Sequence, residues 1–264
     1  MKDYNTIKVD IQNQKATVWL NRPDVQNAVS NEMLRELTES FQHLENNKNV
    51  RVIVLRGKGK SFSAGADLKK MLASNKSGFD ENLKDGKLWT QCLSQIYHCS
   101  KPVIAVATGN VFGGGNGLLS AVDIVIAETE TVFSFSEVKI GLAPSTILPY
   151  VLTRLNEHKA KLLMFTGKRF KAHEALQYNL VDFVADQNEI DSTLENLVKN
   201  IMKASPNGIK EIKFLIRELK KGLNHDQTND LTASSIANLK ISEEAFEGIS
   251  AFLEKRTPVW NNFK

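Results

Sequence analysis

Residues 101–150 read KPVIAVATGNVFGGGNGLLSAVDIVIAETETVFSFSEVKIGLAPSTILPY, and this stretch decides the fold. Residues 103–107 are an unbroken apolar run of strand length. Gly113, Gly114 and Gly115 open a helix, residues 123–127 form a second strand, and a third strand ends at Glu137. Three glycines at a strand-to-helix turn let a ligand come down onto backbone N–H groups, with the partial positive charge of the helix N-terminus behind them. The turn is a site for an anion or for a developing oxyanion.

Upstream, residues 52–55 are a short apolar run without alternation, as expected of a strand covered on both faces in a parallel sheet with helical crossovers. Residues 57–71, GKGKSFSAGADLKKM, follow it. Gly57, Gly59 and Gly65 let the chain leave the strand and turn into a helix near Asp67, with free N–H groups around Ala66 at the carboxyl end of a strand, where open α/β sheets bind ligands. Taken alone, this segment also reads as a surface loop; the second glycine turn at 113–115 argues for a paired site.

The remaining segments frame these two turns. Ile7, Val9 and Ile11 alternate, QNQK turns the chain, and Ala16, Val18 and Leu20 alternate again, which predicts a hairpin. NRPDVQNAVS breaks the strand, and Ser30 caps a helix with the stripe Met33, Leu37, Phe41 and Leu44. Residues 73–82 read as a loop able to wall a pocket, and a helix covers the later part of 77–99, with Leu83, Leu88, Trp89, Leu93 and Ile96. Past residue 150 the pattern turns helical: one helix ended by Gly167, a short one with Asn179 in the left-handed C′ position, a last strand over 180–184, then helical stretches over 189–204, 206–222 and 227–255. This divides the chain into a core, 1–195, and a helical region, 196–264, whose stripes need a partner surface such as another subunit.

The 264 residues are 42% hydrophobic and 24% charged, with a net charge of +4 spread along the chain, so no basic block points to nucleic acid. A phosphorylated small molecule suits the excess equally well. Cys92 and Cys99 are too far apart along a helix to bridge, which fits a reduced, cytoplasmic setting. No signal peptide or membrane span is read from the sequence, and the five histidines lack metal spacing, so no metal is expected.

Two glycine turns offering N–H donors suggest a hole that stabilises negative charge on a carbonyl oxygen, as in an enolate. Such chemistry also needs a group to move a proton at the neighbouring carbon. Glu137, leaving the apolar FSFSE segment where burial raises a carboxyl pKa, is the candidate; by position alone it also reads as a solvated strand-end glutamate. Ser145 has no obvious base beside it, so a nucleophilic triad is not supported.

NRPDVQNAVS, VRVIVLRGKGKSFSAGADL, KPVIAVATGNVFGGGNGL, FSFSEVKIGLAP, TGKRFKAHEALQYNLV and EGISAFLEKRTPVW together resemble the crotonase superfamily of acyl-CoA enzymes over nearly the whole chain. The resemblance implies an α/β fold, a spiral of ββα turns with a C-terminal helical trimerisation region, assembling as trimers or hexamers. It implies a CoA thioester as substrate and no other cofactor, with CoA lying across the two glycine turns. It assigns oxyanion-hole donors to Ala66 and Gly114, substrate contacts to Ala64, Asp67, Leu68, Lys69, Gly117 and Ser145, and a CoA-phosphate contact to Lys255, often across subunits.

Two-glutamate hydratases carry one acidic residue just after the triple glycine and one at the later strand; here the second is Glu137, but the first position is Gly117. GGGNGL with SEVKIGLAPSTILPYV resembles the bacterial hydratases of methylglutaconyl-CoA and isohexenylglutaconyl-CoA, of leucine and acyclic terpene breakdown. The expected activity is a lyase adding water to a short or branched 2-enoyl-CoA. The alternatives are a Δ3,Δ2-enoyl-CoA isomerase or decarboxylase working with Glu137 alone, or a non-catalytic acyl-CoA or RNA binder. An arginine-rich stripe is missing, and Glu137 stands intact with both glycine turns; both points weigh against the binder.

Overall fold

The alternating residues at the N-terminus form the expected hairpin: β1 (Ile7–Gln12) pairs antiparallel with β2 (Lys15–Leu20) across Asn13 and Gln14, both at positive φ. The computed structural model that shows this describes residues 2–68, 71–72 and 78–261. Ser30 caps α1 (Asn31–Asn46) by accepting the Met33 N–H, and the stripe Met33, Leu37, Phe41 and Leu44 is buried. β2 then pairs in parallel with β3 (Val52–Gly57), and β3 with β4 (Val103–Ala107). After β4 comes a short strand not read from the sequence, β5 (Asn110–Phe112), and only then the glycine turn and its helix. Here α2 denotes Phe79–His98 and α3 Gly114–Ser120.

β6 (Ile124–Glu128) extends the main sheet beside β4, while β7 (Val132–Ser134) pairs with β5 and with β8 (Phe170–Lys171) in a second, three-stranded sheet. β9 (Phe183–Ala185) completes the six-stranded order β1-β2-β3-β4-β6-β9. That last strand starts three residues later than expected. Two short helices, α4 (Leu148–Val151) and α5 (Glu157–Thr166), precede β8, and α6 (Ala172–Gln177) follows it. Gly167 and Asn179 sit left-handed at the ends of α5 and α6, as their sequence positions require.

β3 and β4 are covered on both faces, as their unbroken apolar runs predict. Ile53, Leu55, Val103 and Ala105 join the large core with α1 and α2, while Val52, Val54, Ile104 and Val106 meet Ile190, Leu194, Val198 and Met202 of α7 (Ile190–Lys203). Full burial of such a side chain is worth roughly 1.5–3 kcal/mol, so α7 is an integral cover of the sheet. The expected division after residue 195 passes through this helix. α8 (Pro206–Leu219) follows, and residues 225–253 form two helices, α9 (His225–Lys240) and α10 (Glu243–Leu253), where one stretch was expected. Ser242 separates them: its hydroxyl accepts the Ala245 N–H, and Glu243 and Glu244 favour a new helix N-terminus.

α2 begins at Phe79, earlier than the apolar pattern indicates, because Asp80 and Glu81 stabilise its polar first turn. Cys92 lies on α2 and Cys99 just beyond it; both are free and buried, and burial pushes the Cys92 thiol up to about 12 and the Cys99 thiol up to about 11.

Candidate active site

Because β3 and β4 are parallel neighbours, both deliver their following segments to the same end of the sheet, and this brings the two glycine turns together. The Phe62 N–H donates to the Thr108 carbonyl at 2.7 Å, Ser63 N–H to Asn110 at 3.1 Å, and Phe112 N–H back to Ser63 at 3.0 Å. The two segments also approach closely at Gly65, whose φ is +92°. A Cβ there would stand 2.7 Å from the Phe112 carbonyl oxygen and 3.4 Å from the Gly114 nitrogen, so only glycine permits the contact. The buried Asn27 buckles the first turn, donating to the Lys58 and Ser61 carbonyls at 2.9 and 2.8 Å and accepting the Arg22 N–H at 2.8 Å. Sequence reading saw Asn27 only as a strand breaker.

Among the described residues, two donors remain unspent on this wall. A parallel bridge to Val29 uses the Gly65 carbonyl and the Asp67 N–H, which flank Ala66 and leave its N–H out of the bridge. Gly114 is the first residue of α3, where an N–H has no intrahelical acceptor. The second turn is fixed from behind: Gly113 N–H donates to the Ser134 carbonyl at 3.0 Å, and the Asn116 amide donates to Val111 and Ser134 at 3.1 and 2.9 Å.

Glu137 does not end a strand. β7 stops at Ser134, and Glu137 is the first residue of a 3-10 turn, Glu137–Ile140. The turn swings its carboxylate onto the glycines: a Cβ on Gly113 would lie 3.1 Å from Glu137 Oε1. Oε2 is buried and lacks a hydrogen-bond partner among the described residues. Burial pushes the Glu137 carboxyl above its ordinary value, opposed only in part by its own backbone N–H.

A cavity of about 280 Å³ collects these groups: Ala66, Asp67, Gly114, Glu137 and Ser145 all line it. Ala64, Leu68, Gly117 and Lys255 are not on its lining, and Lys69 lies outside the described residues. Asp67 pairs with Arg22 at 3.2 Å, the Ala64 N–H is spent on the Gln26 carbonyl, and Lys255 is exposed just past α10 at φ +55°. A further wall is one face of α2 at helical spacing, Asn82, Asp85, Gly86 and Trp89; Asn82 belongs to the stretch 73–82 expected to wall a pocket, of which 73–77 lie outside the described residues. Asn31 donates to Asp85 across this wall. Trp89 sits so close to the second turn that a Cβ on Gly114 would meet its Cη2 at 2.3 Å.

The lining carboxylates do not converge on a metal; among the described residues no group of three or more His, Cys, Asp or Glu is placed to hold one. A larger cavity, about 560 Å³, lies between α8 and the start of β6, but there Arg154 is paired with Asp182 at 3.1 Å and Lys213 with Asp123, and neither glycine turn faces it.

A family model described as enoyl-CoA hydratase/isomerase matches residues 10–263. The chain belongs to the enoyl-CoA hydratase/isomerase family. Among the relatives of this enoyl-CoA hydratase/isomerase family member is a short-chain-enoyl-CoA hydratase of Clostridium acetobutylicum, 31% identical over 258 residues, covering 96% of this chain and 97% of that protein. An enoyl-CoA hydratase from Shewanella pealeana superimposes with a TM-score of 0.93 at 34% identity, covering 97% of this chain and 96% of the other. Pseudomonas aeruginosa AtuE gives 0.94 at 30%, covering 98% and 100%. The mixed α/β architecture is thus the crotonase fold, and the chain is an enzyme of the enoyl-CoA hydratase or isomerase kind. Among the described residues no helix is long and apolar enough to cross a membrane.

Proposed function

We propose that this enzyme adds water reversibly across the double bond of a short 2-enoyl-CoA. The observation that carries this reading is a buried Glu137 oxygen beside two N–H donors in one cavity, all three without a hydrogen-bond partner among the described residues. In the proposed step the thioester oxygen sits between the Ala66 and Gly114 N–H groups. Glu137 takes a proton from water as its oxygen adds to Cβ, the electron pair moves onto the thioester oxygen as an enolate, and Glu137 returns a proton to Cα. The charge forms where fixed donors already point, which is where such stabilisation is strongest. CoA would run along residues 64–69 past Ser145, and the exposed Lys255 suits a phosphate contact from a neighbouring copy. No cofactor beyond the thioester enters the step.

The motif GGGNGL with PSTILPY favours a branched glutaconyl-type substrate in leucine breakdown, but the cavity's electrostatics favour an uncharged acyl group. Asp67, Asp85 and Glu137 line it, and among the described residues no Lys, Arg or His does. A second reading, the Δ3,Δ2-isomerase or decarboxylase, is favoured by Gly117, which leaves Glu137 as the one carboxylate against the glycine turn among the described residues. Turnover of crotonyl-, 3-methylglutaconyl- and 3-enoyl-CoA separates these readings: crotonyl-CoA hydration fastest is the expected result, and conversion of 3-enoyl-CoA without hydration of any enoyl thioester overturns it.

The same reading includes a trimer or hexamer built on the helical region. Ile241, Phe246 and Phe252 are 85%, 75% and 83% exposed in the single chain, a density of bare large apolar side chains that marks a buried contact. Sedimentation at micromolar concentration should show a trimer or larger; a monomer alone contradicts the assembly without touching the chemistry.

A further inference from the structure

Gly114 and Gly117 stand three residues apart on one face of α3, and each is a notch filled by a large side chain from another element. Trp89 fills the first. Ile147 fills the second: a Cβ on Gly117 would lie 2.2 Å from Ile147 Cγ2 and 2.8 Å from its Cβ, with Leu93 Cδ1 at 3.7 Å. A mid-helix glycine is unfavourable relative to alanine, and Gly117, with no positive φ, has no turn to justify it. Its use is to admit Ile147.

Ile147 is only 3% exposed, yet it lines the cavity, so its hydrocarbon forms part of the inner wall beside the reacting groups. Its backbone is fixed at the start of α4, where its carbonyl accepts the Tyr150 and Val151 N–H groups at 3.0 Å each. The side chain therefore cannot withdraw without moving that helix. Trp89 fills the neighbouring notch in the same way, and it too lines the cavity.

We propose that Ile147 is the specificity-determining residue of the acyl site, limiting acyl length by filling the notch at Gly117. The proposal rests on the reading that the cavity receives an acyl-CoA. Shortening the side chain opens the notch toward Leu93 and extends the apolar wall, whereas the donors at Ala66 and Gly114 and the Glu137 carboxylate are untouched. Pocket differences of one methylene change discrimination by roughly 10- to 200-fold.

The test measures kcat/KM for four-carbon and eight-carbon 2-enoyl-CoA, and Kd for the saturated butyryl- and octanoyl-CoA, with the wild type, Ile147→Val and Ile147→Ala. The expected result is a wild-type preference for the four-carbon chain and a rise in the eight-to-four ratio of at least about tenfold in Ile147→Ala, with Ile147→Val between them. If Ile147→Ala does not fold, Ile147→Val decides, since it removes one methyl and keeps the branched Cβ. Ratios within twofold of wild type in every folded variant, for turnover and binding alike, overturn the proposal. A wild type that turns over neither thioester overturns the hydratase reading instead, and the Kd ratio still decides the role of Ile147.

Discussion

Glu137→Gln keeps the size of the side chain and removes its base, and its turnover should fall by about 10² to 10⁴. The variant also has a pH signature. Because burial raises the Glu137 carboxyl, wild-type kcat/KM should climb with pH through a midpoint above the ordinary 4.5 of a glutamate, and that limb should vanish in the variant. Stability should move the other way. A carboxyl whose folded-state pKa is raised stabilises the fold while protonated: the contribution is full below the unfolded-state value and is lost as pH climbs through the folded-state value. Above that value the wild type carries a charged oxygen, without a hydrogen-bond partner among the described residues, that the neutral amide avoids. Glu137→Gln should be at least as stable as wild type at pH 7, the difference closing as acid protonates Glu137. Turnover near the wild-type level, or a variant less stable at pH 7, would remove Glu137 from its proposed role.

The second large effect belongs to the Gly114 N–H. Proline is tolerated at the first residue of a helix but carries no N–H, so Gly114→Pro should cost about 10² to 10³ in kcat. Any Cβ at this position strikes Trp89 at 2.3 Å, however, so the single variant mixes loss of a donor with displacement of the indole. Truncating Trp89 separates them. In a Trp89→Ala background, Gly114→Ala keeps the N–H and now has room for its methyl group, whereas Gly114→Pro lacks the donor in the same widened space. The proline double variant should be slower than the alanine one by the donor's share, about 10² to 10³. Equal turnover of the two would show that the Gly114 N–H holds no charge in the transition state.

What was legible in the sequence was local. The alternation at Ile7, Val9 and Ile11, the Ser30 cap and the left-handed residues Gly167 and Asn179 each act through neighbours within a few positions, and each reads correctly. The glycine turns were legible as turns for the same reason. Their meeting follows from one non-local fact, the parallel pairing of β3 and β4, which the unbroken apolar runs had already suggested. What failed to show depends on close approach between distant segments. The turn that aims Glu137 follows a strand three residues shorter than FSFSE suggests, and Asn27 does its work through carbonyls at positions 58 and 61.

The same limit applies to the walls of the cavity. Trp89 reads as one more apolar residue of an amphipathic helix, and Ile147 as one residue within PSTILPY. Only contact with Gly114 and Gly117 shows that both are cavity walls. Sequence reading treated Gly117 as a gap left by a missing carboxylate; the structure shows a glycine packed under Ile147, so Gly117→Glu has no room unless Ile147 is shortened as well. The face Asn82, Asp85, Gly86, Trp89 had a visible signal, small and polar residues at helical spacing beside an aromatic, within a stretch whose first residues read as loop.

In the proposed reaction Glu137 moves the Cα proton of a thioester whose enolate is held by the two glycine turns. Butyryl-CoA isolates that step, because a saturated acyl group cannot be hydrated or isomerised. Followed by NMR in D₂O, its Cα protons should exchange for deuterium with the wild-type enzyme and at least about a hundredfold more slowly with Glu137→Gln. Exchange at equal rates in the two proteins, or no exchange by a wild type that binds butyryl-CoA, would contradict that step.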